Sequence, residues 1–183
     1  DPSYKEQIVT MTYPLIGNYG INEEDVESDR IHVRALLLKE YQEFPSNWRS
    51  RKSLGEYLRA GGVPGIEGID TRALTRHIRL GGALRAALST EDLRPDSLVE
   101  KARSSPQMAG RDLVLEVTST EPLLWRAGRP VRLQGGLEGF RWPDEPGKWN
   151  VVAMDYGVKY NILRSLEQRG CNILLLPAQT DAA

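Results

Sequence analysis

The segment whose residue types and spacing best suit ligand chemistry is Asp155-Tyr156-Gly157-Val158-Lys159-Tyr160-Asn161. It follows a short apolar run, Val151 to Asp155, and leads into a stretch with helical periodicity. Those signals place it where the carboxyl end of a strand meets a helix N-terminus, the position at which open α/β sheets bind ligands. Gly157 permits close backbone approach, and Lys159 can set a cation beside a substrate carboxylate. The turn lacks Gly-x-Gly-x-x-Gly spacing, so by residue type alone it reads equally well as a plain connection. Cys171, the only cysteine, follows Gly170 at the end of the same helix. There the helix dipole opposes a thiolate, and the residue reads as packing. His32 and His77 have no Cys or His neighbour at ligand spacing, so no metal site is expected, and His77 reads as a surface or partner-facing residue. Arg72, Arg76 and Arg79 share one helical face, with Arg85 beyond; such a stripe can meet phosphate or an acidic partner, but ordinarily it is a solvated face. Ser3, between Pro2 and Tyr4, is by type a turn serine.

The elements that must position these groups follow from periodicity and turn chemistry. Gln7–Tyr13 and Ile31–Lys39 read as strands, separated by a Tyr- and Gly-rich loop. Ser53 N-caps a short helix with Glu56 closing a capping box and Gly61-Gly62 ending it. Asp70 N-caps a second helix, Thr71 to Leu80, with Leu74 and Ile78 as its buried pair. Pro95 opens a third, through Arg103, with Leu98, Val99 and Ala102 inward. Leu113–Thr118 and Leu123–Leu133 return to strand character, the latter turning at Ala127-Gly128. Gly, Pro and acidic residues from Gly135 to Trp149 read as a linker. After it, a strand, a helix from Val158 to Arg169 and a strand at Ile173–Leu176 form a βαβ unit, which implies a parallel sheet.

Composition bounds the function classes. The chain has 183 residues, 40% hydrophobic and 27% charged, as in a globular protein with a core. Its net charge of −1 and pI near 6.2 supply no field for a nucleic acid partner. No apolar run approaches the roughly 18 residues of a membrane span. A single cysteine fits a reducing cytoplasm, and the missing initiator Met together with one lone βαβ unit leads us to expect a chain cut from a longer one. The expected organisation is α/β: a mixed domain over 1–134, a linker over 135–149, and the start of a doubly wound domain over 150–183.

Four segments then carry a resemblance. Asp1-Pro2-Ser3-Tyr4 with QIVTMTYPLIGNYG, PSNWR at 45–49, GIDTRALTRHIR at 68–79, and VVAMDYGVKYNILRSLEQRGCNILLLPAQT near the end resemble, in order, the small glutamine-hydrolysing subunit of carbamoyl phosphate synthetase. The resemblance implies a swivelling β/β/α domain followed by a flavodoxin-like class I glutamine amidotransferase domain. It implies ammonia release from glutamine and its transfer to a large subunit, which makes carbamoyl phosphate from bicarbonate and ATP for arginine and pyrimidine synthesis. Glutamine amidotransfer needs a Cys nucleophile, a His and a Glu. The resemblance places all three downstream of Ala183, and it matches Cys171 to a strand-leading cysteine, so the catalytic set in this chain is expected to be empty. It carries over two glutamine-binding residues: Ser3, whose hydroxyl can bond the charged amino-acid end of the substrate, and Lys159, at the helix start. No cofactor is expected here; ATP and Mg belong to the large subunit. On exposure grounds only, and not from the resemblance, the helix after Asp70 and the loop from Tyr13 to Gly20 are the expected docking surface for that subunit. The competing readings are a non-catalytic interaction module that docks a partner, and a flavodoxin-like nucleotide binder built on the Asp155 turn.

Overall fold

A computed structural model describes residues 1–181. The chain is α/β and divides into two compact units. The larger unit comprises residues 4–25 and 30–111; the other gathers residues 1–3, 26–29 and 112 onward.

The larger unit is built on a three-stranded parallel sheet, β1 (Ile8–Thr10), β2 (Ala35–Leu37) and the short β3 (Gly65–Ile66), in that spatial order. The strands are briefer than their apolar runs suggest, because the chain leaves the ladder on both sides for hydrogen-bonded loops. Those loops interlock. Ser46 Oγ donates to Asn18 Oδ1 at 2.7 Å, Asn47 Nδ2 to the Tyr19 carbonyl at 3.1 Å, and Arg49 Nη2 to Tyr19 Oη at 2.7 Å and Asp25 Oδ2 at 3.0 Å. Tyr19 also donates to Asp25, and that hydrogen bond raises the phenol pKa. The segments around Asn18 and Arg49 therefore form one structure. At the head of β1, Glu6 adopts a left-handed backbone, φ 62°. Its carboxylate is clamped by Arg111 and, at 2.8 Å, by Arg34, which together lower its pKa to about 2.

Helix α1 (Leu54–Ala60) starts with the full capping box, Ser53 with Glu56. Helix α2 (Thr71–Gly81) follows β3, and the Asp70 carboxylate accepts the Ala73 N–H at its start. Only Thr71 of α2 is buried; Leu74 and Ile78 are half-buried. Helix α3 (Pro95–Ser104) begins with proline in its first turn, as expected, but Val99 is exposed rather than inward. Asp92 ties this helix start, accepting from Ser97 Oγ at 2.5 Å and Lys101 Nζ at 2.6 Å, contacts that hold its carboxyl well below the usual range.

In the second unit, 113–118 forms a single helical turn, α4 (Val114–Val117), where a strand was expected. The Asp112 side chain accepts the Val114 N–H at 3.0 Å and opens that turn before a ladder can form. Strands β4 (Leu123–Arg126) and β5 (Arg129–Arg132) make the expected hairpin at Ala127-Gly128. They then join a sheet with β6 (Trp149–Asp155) and β7 (Cys171–Pro177), which flank α5 (Tyr160–Gln168), in the order β5-β4-β7-β6. The β6-α5-β7 unit is parallel, as its sequence implied, while β4 runs antiparallel to β7, pairing Leu123 with Leu175 and Trp125 with Ile173.

That pairing corrects the expected boundaries. Residues 112–134 belong with the later strands, and 135–149 connects β5 to β6 inside the same unit instead of separating two domains. The physical reason is the core: Trp125, Leu163, Ile173 and Leu175 are buried against one another, so β4 supplies a quarter of the central cluster. Cys171 packs at its edge. Glu167 of α5 locks the hairpin, accepting Trp125 Nε1 at 3.1 Å, Ala127 N at 2.7 Å and Gly128 N at 2.9 Å. These bonds hold Ala127 at φ 51°, a conformation that ordinarily favours glycine or asparagine.

Candidate functional site

The site is at the carboxyl end of β6. Asp155, the last residue of that strand, is buried. Its Oδ1 accepts the N–H groups of Gly157 and Val158, both at 3.0 Å, and its Oδ2 accepts Ser119 N at 2.7 Å. A buried carboxylate with three backbone donors is well satisfied, and it fixes the course of the chain into α5. Gly157 takes φ 90°, and a Cβ there would stand 3.0 Å from Pro2 Cβ and 3.0 Å from Val117 Cγ2. The close approach that this glycine allows is thus to the protein's own chain.

Lys159 occupies the N-cap position of α5 with extended backbone and makes no side-chain cap bond. Its ammonium reaches Asp1 Oδ2 at 2.8 Å. The other oxygen of the same carboxylate accepts the Ser3 backbone N–H at 3.0 Å. Ser3 lies in a short 3₁₀ turn, Pro2–Tyr4, anchored by the buried Pro2, and is itself exposed. The structure therefore brings Ser3 and Lys159, 156 positions apart in the chain, to the two oxygens of one carboxylate. Sequence reasoning had not singled out Asp1. The signal was present: an Asp two residues before an N–H it can accept is an Asx-turn pattern.

The helix N-terminus is closed by a residue that no local sequence pattern marks. Glu27 accepts Asn161 N on its Oε2 at 2.9 Å and Tyr160 N on its backbone carbonyl at 3.1 Å. Arg164 binds the Val26 carbonyl at 2.9 Å from one turn further along and places its guanidinium 5.9 Å from the Tyr160 ring centre. Burial, with Asp29 and Asp155 nearby, pushes the Tyr160 phenol up. Gly157, Val158, Tyr160, Asn161 and Ile162 all donate their N–H groups within the chain. Glu27 stands where a phosphate would bind at a helix N-terminus. The Asp155 turn offers no phosphate cradle, which removes the observation behind a nucleotide-binding reading.

Cys171 is at the other end of the strands. β6 and β7 run parallel in register from Trp149–Cys171 to Asp155–Pro177. At about 3.3 Å per residue, six residues separate the thiol from the Asp155 edge by roughly 20 Å. It cannot serve as a nucleophile at the Ser3–Lys159 position. His77 is exposed on α2 and His32 is buried in the larger unit; neither contributes to this arrangement. No described helix is long and apolar enough to cross a membrane.

Comparison with known proteins bears on the chain as a whole. Residues 1–88 match the family described as carbamoyl-phosphate synthase small chain, CPSase domain. The carbamoyl phosphate synthase small chain of Syntrophotalea carbinolica is 53% identical over 182 residues, covering 100% of this chain and 47% of that protein. Those of Nitratidesulfovibrio vulgaris (strain Hildenborough) and Thermosynechococcus vestitus are 49% and 46% identical, again over 100% of this chain and 48% and 47% of theirs. The chain spans about half the length of the curated relatives it matches.

Proposed function

The chain belongs to the carbamoyl phosphate synthase small-chain family, and from that premise we propose that it serves in a glutamine-hydrolysing small subunit. That subunit releases ammonia from glutamine and passes it to a large subunit, which joins it to bicarbonate at the expense of ATP. The large subunit would hold ATP and Mg, and the pair would work in the cytoplasm toward arginine and pyrimidine synthesis.

One observation carries the reading for this chain. The two residues that the family resemblance assigns to glutamine, Ser3 and Lys159, are held by the single carboxylate of Asp1 at the carboxyl edge of a parallel strand pair. A hydroxyl and a cation suit the α-amino and α-carboxylate groups of an amino acid: the serine oxygen accepts from the ammonium or donates to the carboxylate, and the lysine balances the carboxylate's charge. The nucleophile is not among these residues. The lone cysteine lies at the wrong end of β7, and Arg169-Gly170-Cys171-Asn172-Ile173 is no Gly-x-Cys-x-Gly elbow. Residues 1–183 alone therefore contribute binding groups and should release no ammonia.

The test is steady-state kinetics of the full-length small chain assembled with its large chain. A hydrogen bond to a charged group is worth about 1.5–3 kcal/mol. Ser3→Ala should thus raise the glutamine KM roughly 10- to 150-fold while synthesis from added ammonium stays unchanged. An unchanged glutamine KM in a folded variant removes Ser3 from the site, and absence of glutamine-dependent ammonia release in the wild type overturns the reading.

A further inference from the structure

Helix α2 differs from the two other helices of its unit. In α1, Arg59 follows Glu56, and in α3, Asp96 and Glu100 accompany Lys101 and Arg103. Helix α2, Thr-Arg-Ala-Leu-Thr-Arg-His-Ile-Arg-Leu-Gly, has no acidic residue. Asp70, just before it, is engaged with the Ala73 N–H. Arg72, Arg76 and Arg79 are all exposed, and none has an ion pair or hydrogen bond among the described residues. At intervals of four and three they form one row about 10 Å long. The row lies opposite the face carrying Thr71, Leu74 and Ile78.

This is not how a merely solvated helix face is built. Such faces interleave acids and bases at i, i+4, whereas here like charges stand at that spacing and repel. Arg72 also sits in the first turn, where the helix dipole disfavours a cation. Beside the row, four residues after Arg76, Leu80 is 90% exposed, and Leu84 just beyond is 49% exposed. Guanidinium groups next to exposed aliphatic side chains are the composition of a protein interface more than of a polyanion-binding surface. The chain's net charge of −1 likewise gives no general attraction to nucleic acid.

We propose that the Arg72–Arg76–Arg79 face of α2, with Leu80 at its edge, docks an acidic stripe of matching length on the large chain. The proposal rests on the two-subunit reading above. The charge arrangement specifies the partner's chemistry: two or three carboxylates spaced at one helical turn, with an apolar contact for Leu80.

The experiment uses the full-length small chain and its large chain. The triple variant R72E/R76E/R79E is compared with a charge-matched control, K39E/R103E/R129E, whose three sites are exposed elsewhere. Thermal unfolding by circular dichroism checks both for folding, and titration calorimetry at two salt concentrations reads binding. The α2 variant should bind at least roughly 30-fold more weakly, with a flatter salt dependence, and the control within about 3-fold of wild type. Equal binding by α2 variant and control overturns the docking assignment and leaves the two-subunit reading standing. Failure of the wild type to bind the large chain overturns both. Retention of the wild type on duplex DNA, lost in the α2 variant, would reassign the row to a polyanion and overturn the proposal.

Discussion

Lys159 Nζ and Asp1 Oδ2 are 2.8 Å apart, and this pair fixes the position of the lysine's charge at the start of α5. Asp1 touches no reacting atom in this reading; it is a positioning residue, holding Lys159 and the Ser3 turn together. Asp1→Asn should therefore raise the glutamine KM of the full-length enzyme roughly 3- to 10-fold, with kcat within about 2-fold and partial recovery in Asp1→Glu. A fall in kcat at constant KM would assign Asp1 a different role.

Glu27 closes the first turn of α5 from 134 residues away. Losing a capping carboxylate costs about 1 kcal/mol, so Glu27→Ala should lower Tm by roughly 2–4 °C. Hydrogen exchange should quicken at Asn161. An unchanged exchange rate there would show that the cap does not form in solution.

Glu167 accepts three donors at the β4–β5 turn. Glu167→Ala strands the buried indole N–H of Trp125 and leaves Ala127 unsupported in its left-handed conformation. A loss of about 2 kcal/mol in denaturant unfolding is expected, together with a shift of Trp125 fluorescence. Ala127→Gly in the same background should recover part of the loss by relieving the backbone.

Glu6 makes stability pH-dependent. Its folded pKa, about 2, lies below the ordinary carboxylate value of 4.5 because Arg111 and Arg34 bind the charged form. A depressed pKa contributes stability that is fully present above about 4.5 and is lost as pH falls through the folded value. With Arg34 largely exposed and solvent screening the pair, about 1–2 kcal/mol is at stake. Between pH 5 and pH 2.5 the wild type should lose that much more stability than Glu6→Gln; parallel curves would contradict it.

Arg72 works against the helix that carries it. Arg72→Glu reverses an unfavourable dipole term and adds an i, i+4 pair with Arg76, so α2 should gain about 1 kcal/mol. Thermal unfolding of the variant should rise by roughly 2–4 °C. A fall in Tm would mean the arginine has a structural partner.

What the sequence disclosed was local. The Ser53 capping box, the Asp70 cap, Pro95 in the first turn of α3 and the Ala127-Gly128 turn are decided by neighbours within four residues, and each formed as read. What it withheld was distant. The antiparallel pairing of β4 with β7 joins residues 50 positions apart, so a Gly- and Pro-rich stretch between them looked like a boundary when it is a connection. At the candidate site, Lys159 was suggested by its strand-to-helix turn and by resemblance and Ser3 by resemblance alone, while Asp1 and Glu27 emerged only from the folded structure. No periodicity announces an acceptor whose donor lies 134 residues further on.

The second unit is assembled from three separate stretches of chain. During synthesis, residues 1–3 and 26–29 leave the ribosome long before their partners at 157–164 exist. At about 5–20 residues per second the wait is on the order of ten seconds. Residues 4–25 and 30–111 can fold in that interval, but the two early stretches of the second unit have nothing to close upon. Order of translation therefore makes the larger unit the earlier one to form, and it leaves the Asp1–Ser3 turn to be set late, when α5 arrives.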